Sequence, residues 1–169
     1  MNYFIADLHF CNENCIIYDN RPFNNLEEMN KSMIDNWNKQ IKDSINDNIF
    51  VIGDFIMSKY INDYKNIISR LKGNIYLIEG NHDFKRYYSN EICLDKIKEM
   101  NPFKIIKKDK INKYNRDLFL CHYQLQNIKI EKNKDWYFLH GHIHNDKVSN
   151  NLNKKKYKNF YNIGAMRPN

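Results

Sequence analysis

No run of apolar residues in this sequence approaches the roughly 20 that a membrane-crossing helix requires. The longest are short, such as Ile49 to Ile52 and Trp136 to Leu139. Tyr3-Phe4-Ile5-Ala6 follows Met1 almost at once, so no basic leader or cleavage site is expected. Cysteine is sparse, at Cys11, Cys15, Cys93 and Cys121. Cys11 and Cys15 lack the Cys-x-x-Cys spacing of a zinc knuckle or redox motif, which points to reduced thiols in a cytoplasmic protein. Arginine is scarce too, which limits bidentate phosphate binding. No repeat or low-complexity linker divides the 169 residues, so a single domain over 1–169 is expected.

What is present fits a folded protein. Hydrophobic residues make up 42% and aromatics 14%, which excludes a disordered chain. The formal charge of +7 comes mostly from lysine. It fits an anionic partner such as a nucleotide or nucleic acid, but the codon bias of an AT-rich genome, which would also enrich Asn and Ile, is the preferred reading. Lys154-Lys155-Lys156 reads as a solvated turn.

Periodicity predicts strands at Tyr3 to Ala6, Ile49 to Ile52 and Ile75 to Ile78, each an apolar run that ends in polar residues. Helices are predicted over Leu26 to Ile41, Tyr60 to Leu71 and Ile92 to Met100, the last closed by Pro102. The second half reads mostly as strands: Phe103 to Ile106, Leu118 to Cys121, Trp136 to Leu139 and Phe160 to Ile163. This order implies a mixed α/β sandwich with a parallel half and a more antiparallel half.

The six histidines, His9, His82, His122, His140, His142 and His144, all lie at or just beyond predicted strand ends. Ligands bind outside the carboxyl ends of strands in α/β sheets, so these residues can converge. In extended chain Asp7 and His9 would face one way and reach one cation, as would His142 and His144. Gly141 permits close backbone approach. Asp54 follows Gly53, and its carboxylate can bridge two cations. Asn81 offers an amide oxygen, and His122 ends a fourth strand. Mixed oxygen and nitrogen donors suit Mn, Fe, Zn or Ni better than Ca or Mg.

The ordered blocks Asp7-Leu8-His9, Gly53-Asp54, Gly80-Asn81-His82-Asp83, His122 and Gly141-His142-Ile143-His144 resemble the calcineurin-like metallophosphoesterase family, short bacterial and phage type. Phe160-Tyr161-Asn162-Ile163-Gly164 resembles its closing strand. The resemblance implies a four-layer α/β/β/α sandwich with two mixed sheets flanked by helices. It implies two divalent cations, with manganese the best support for activity. One would take Asp7, His9, Asp54 and His144; the other Asp54, Asn81, His122 and His142. His82 would face the scissile phosphate without ligating, oriented by Asp83, and His140 would be buried behind the ligands. Two departures stand out: Met57 replaces an Asp found in many members, and Asn12 lies where short members often carry a further His.

The activity implied is hydrolysis of a phosphoester by metal-activated water, without a covalent intermediate. A phosphodiester of a nucleotide or nucleic acid is favoured. The alternatives are a phosphomonoesterase acting on a small metabolite and a non-catalytic binding module. Arg86, Arg21 and Asn12 are the candidate substrate contacts, with Arg167 also within reach. Arg21 reads equally as an anchor for the loop before the first long helix. Neither a membrane nor an obligatory protein partner is expected.

Overall fold

A computed structural model describes residues 1–83, 97–100, 103–106, 117–124, 137–144 and 160–165. Strand β1 is Asn2–Ile5, followed by helices α1 at Asn14–Tyr18 and α2 at Leu26–Gln40. Then come β2 at Asn48–Ile52, α3 at Ile61–Arg70 and β3 at Asn74–Ile78. Strands β4 at Ile97–Met100, β5 at Phe103–Ile106, β6 at Leu118–Cys121, β7 at Tyr137–His140 and β8 at Phe160–Asn162 complete the order.

The strands form two four-stranded sheets, β1-β2-β3-β4 and β5-β6-β7-β8. The first is parallel throughout, with Ile49 opposite Ile75 and Ile75 opposite Ile97. The second pairs β5 with β6 antiparallel, but β6 with β7 and β7 with β8 parallel. It is therefore less antiparallel than expected. The backbone of Ala6 links the sheets, its N–H donating to Ile163 and its carbonyl accepting from Ala165.

Alternation along the first sheet explains the layering. Ile49, Val51, Ile75 and Leu77 pack with Met29, Met33, Ile34 and Trp37 of α2 and Tyr64, Ile67 and Ile68 of α3. The intervening Phe50, Ile52 and Ile78 pack instead with Leu118 and Leu120 of β6. A strand buried on both faces reads as a continuous apolar run, which is why these were found by sequence. Helices, sheet and sheet thus account for three layers of the α/β fold. A helical layer outside the second sheet is not among the described residues.

Helix α2 begins at Asn25, whose side chain accepts from the Glu28 N–H at 2.9 Å. Glu28 in turn accepts from the Asn24 N–H, and Glu27 and Glu28 complement the helix dipole. The Trp37 ring N–H donates to the Lys72 carbonyl at 2.9 Å, tying α2 to the loop after α3.

The predicted helix over Ile92 to Met100 is wrong in its second half, because Ile97–Met100 is strand β4 on the edge of the first sheet. Pairing with β3 outweighs the local pattern there. Residues 92–96 lie outside the described residues. The five-residue α1 was not anticipated, and it has no side-chain cap to signal it. Among the described residues, no helix is long and apolar enough to cross a membrane.

Candidate metal centre

The loops after β1, β2, β3, β6 and β7 meet at the carboxyl ends of the strands. The first two run side by side: Asp7 N–H donates to the Gly53 carbonyl at 3.1 Å and His9 N–H to the Asp54 carbonyl at 2.9 Å. The backbone carrying the site is not extended. Asp7, His9, Asp54, His142 and His144 have φ of 55, 51, 54, 71 and 39°, five of the seven non-glycine residues with positive φ among those described. Left-handed turns, not a strand pleat, therefore set these pairs: Asp7 and His9 come together as expected, but His142 and His144 turn to different donor groups instead of reaching one cation. Such conformations persist where the surroundings dictate them, and they concentrate at functional sites.

Glycines open the space these side chains occupy. A Cβ on Gly53 would collide with the His122 ring, and one on Gly80 would collide with the Asp54 carboxylate. A Cβ on Gly141 would stand 2.7 Å from both Asp7 carboxylate oxygens.

Asp7, His9, Asp54 and His144 form one donor group, with a ligand atom from each lying within 4.8 Å of all the others. The His9 and His144 Nε2 atoms are 3.1 Å apart, and His9 Nε2 is 3.5 Å from Asp54 Oδ2. Two imidazole lone pairs repel at that separation unless a proton or cation lies between them. First-row dications bind nitrogen and oxygen at about 2.0–2.2 Å, which puts neighbouring donors roughly 3.0–3.6 Å apart. The donor chemistry and spacing therefore fit such an ion. Buried His9 Nδ1 has no hydrogen-bond partner, so nothing diverts that ring from its Nε2 side.

Asn81, His122 and His142 gather on the other side of Asp54. Asn81 Oδ1 is 2.9 Å from both His122 Nε2 and His142 Nδ1, and His122 Nε2 is 3.4 Å from Asp54 Oδ2. His122 Nδ1 points away, to the Ile52 carbonyl at 3.0 Å, so its Nε2 is the free donor. Asp54 Oδ1 accepts from the His82 N–H at 2.9 Å, leaving Oδ2 as the atom that faces both groups.

Electrostatics mark the same residues. Burial would raise the Asp54 carboxyl, but the His122 imidazole and the His82 N–H hold it down at about 2. Burial pushes Asp7 up and takes His9 down to about 4. His122 is raised because the Asp54 carboxylate outweighs burial, and His144 is raised by its hydrogen bond to Asp19.

The other predicted residues divide. The His82 ring is half-buried and meets the His9 ring edge-on, with centroids 5.5 Å apart. Asp83, expected to orient His82, has its described hydrogen bonds to backbone instead. Its carboxylate accepts the N–H groups of Gly80, Asp54 and Phe55 at 2.8, 2.8 and 2.9 Å, clamping the loops after β2 and β3 together. His140 is buried, as expected. Arg21 is a correction to the substrate-contact reading. Its side chain is sealed behind the site, where Nη1 donates to the Leu8 carbonyl at 2.8 Å and Nη2 to the Asp7 carbonyl at 3.2 Å. Asn12 is drawn inward as well, its Nδ2 lying 3.2 Å from Cys15 Sγ and 3.0 Å from Met57 Sδ. The two positions that depart from the family pattern thus touch. Arg86, Arg167 and Cys93 lie outside the described residues. Sequence reasoning missed Asp19, whose Oδ1 is 2.8 Å from His144 Nδ1 across 125 residues of chain.

A family model for the calcineurin-like phosphoesterase superfamily domain matches residues 3–169. The chain belongs to that family. Over 82 residues this phosphoesterase-family chain is 45% identical to an uncharacterized protein of Methanocaldococcus jannaschii. The match covers 48% of this chain and 46% of that protein, so it spans about half the length of the relative. Among solved structures, the fold is shared with a protein of unknown function from Aquifex aeolicus. The TM-score is 0.71 at 24% identity, over 97% of this chain and 89% of that one.

Proposed function

We propose that the chain is a two-cation phosphoesterase that hydrolyses phosphodiesters, with a nucleotide or nucleic acid end as substrate. The observation that supports it best is the position of Asp54 Oδ2, between His9 Nε2 at 3.5 Å and His122 Nε2 at 3.4 Å. One cation would be held by Asp7, His9, Asp54 and His144, the other by Asp54, Asn81, His122 and His142. When bound, such ions clamp phosphate oxygens and acidify the attacking water.

The chain's own residues would do the rest. Asp54 supplies the negative charge that keeps two dications close, and the His82 N–H fixes which oxygen faces them. Asp83 keeps that loop in register through its three backbone bonds. His82, beside His9 but outside both donor groups, would stabilise charge on the leaving oxygen or protonate it, worth about 10²–10⁴-fold in rate.

The diester preference rests on arginine. A monoester carries a second negative charge that a bidentate guanidinium suits best. Among the described residues Arg21 is committed to carbonyls behind the site, which leaves Arg86 as the nearest arginine in sequence. The test is to load the protein with manganese and compare kcat/KM on bis-nitrophenyl phosphate and nitrophenyl phosphate. The diester should be favoured. A monoester preference that disappears in Arg86→Ala would install the monoesterase reading instead. Two bound cations without any hydrolysis would favour a non-catalytic module.

A further inference from the structure

We propose that Asp19 and Arg21 form a positioning pair that presents His144 Nε2 to a cation and makes the Asp7, His9, Asp54 and His144 group the tighter of the two. The proposal rests on the metal reading above. Asp19 sits at the C-terminal end of α1, and its Oδ1 is 2.8 Å from His144 Nδ1. A carboxylate can only accept, so Nδ1 must carry the proton. Nε2 is then an unprotonated donor, and it is the atom 3.1 Å from His9 Nε2.

The other Asp19 oxygen accepts from Arg21 Nη2 at 3.1 Å and Nε at 3.3 Å. Arg21 spends its remaining donors on the carbonyls of Leu8 and Asp7, at 2.8 and 3.2 Å. Met29 and Met33 sulfurs lie behind it at 3.8 and 3.7 Å. The pair therefore joins the loop bearing Asp7 and His9 to the distant loop bearing His144. Asn162 completes the hold, its amide donating to the His144 carbonyl at 3.0 Å.

The second group has no hydrogen-bonded carboxylate behind an imidazole in the contacts described; Asp7 Oδ1 stands 3.8 Å from His122 Nδ1, beyond hydrogen-bond reach. His122 is backed by the Ile52 carbonyl, and His142 Nδ1 faces Asn81 within the group itself. A carboxylate behind a ligating imidazole raises its basicity and fixes its tautomer, and losing one typically weakens metal binding by about 10–100-fold.

The experiment uses the whole chain in two measurements. Nitrogen-15 NMR of the metal-free protein, at a pH where the rings are neutral, reads the His144 tautomer. Manganese titration by calorimetry reads the two affinities. The wild-type protein should show Nδ1–H on His144 and two unequal sites. Asp19→Ala should lose that tautomer and weaken the tighter site by about 10–100-fold while the other is unchanged. Asp19→Glu should restore part of the affinity. Because removing Asp19 can loosen the fold, Arg21→Lys provides a second probe: it should keep the tautomer and weaken the same site less. Nε2–H on His144 in the wild type, or equal weakening at both sites in Asp19→Ala, overturns the proposal. So does a lower melting temperature with tautomer and affinities unchanged. A wild-type protein that takes up no cation overturns the metal reading and this proposal together.

Discussion

His82 is the residue whose role geometry limits most tightly. Its N–H is committed to Asp54, and its ring borders His9 without joining either donor group. His82→Ala should therefore keep both cations and lose rate, and the loss should be larger for alkyl esters than for nitrophenyl esters. An alkoxide needs a proton to leave, whereas nitrophenolate does not. Metal analysis beside the two rates checks this, since loss of a cation would make His82 a ligand and equal rate losses would assign it charge stabilisation only. The residue identities around it were legible in sequence because each follows an apolar strand, and five ordered blocks leave little room for coincidence. What the sequence did not carry is how they meet. Asp and His enter the left-handed region more readily than most residues, but nothing in their spacing says that Asp7, His9, Asp54, His142 and His144 all do so. No spacing rule links Asp19 to His144. The fate of Arg21 was undecided because a guanidinium serves phosphate and carbonyl equally well, and only its burial under Leu8 and Asp7 separates the two uses.

At the scale of elements, the turn after β2 carries the site. Gly53 has φ of 79°, and a Cβ there would enter the His122 ring and stand 2.9 Å from the Gly80 Cα. Gly73, at the opposite end of the sheet before β3, has φ of 88°, but a Cβ there mainly meets the flexible tip of Ile49. Both alanine variants are strained by their backbone, and each should lose about 1–3 kcal/mol of stability. They should differ in binding: Gly53→Ala should also lose the cation beside His122, whereas Gly73→Ala should keep both. Thermal melts with manganese titration separate the cases, and equal cation uptake by the two variants would break the link between this turn and the site. The strands around the turn were readable because β2 and β3 are apolar on both faces. Strand β4 was not, since Ile97–Met100 gains its conformation from pairing with β3.

For the whole molecule, the two sheets pack face to face and are also linked through the Ala6 backbone, and the centre draws on loops from both. One donor group needs His144 from the second sheet and the other needs His122 and His142, so neither sheet can assemble a group alone. Protonation couples to this assembly. The His122 and His144 rings are raised above the ordinary 6.5, and a ring must shed its proton to bind a cation. His9, lowered to about 4, is already neutral near pH 6. Cation affinity should therefore rise with pH through the range where His122 and His144 deprotonate, and the share of proton release that comes from these rings should disappear above it. Calorimetry in two buffers of different ionisation enthalpy counts those protons; no release near pH 6.5 would contradict the account. The parallel sheet and the family were both legible from sequence. The parallel β6-β7 and β7-β8 pairings were not, because short strands look alike in either direction.

The central claim is that Asp54 joins two cations. Anomalous diffraction from crystals grown with manganese tests it most directly. Two peaks are expected, both bonded to Asp54 Oδ2, one ringed by Asp7, His9 and His144 and the other by Asn81, His122 and His142. A single peak, or two peaks of which either lies out of bonding distance of Asp54, would contradict it.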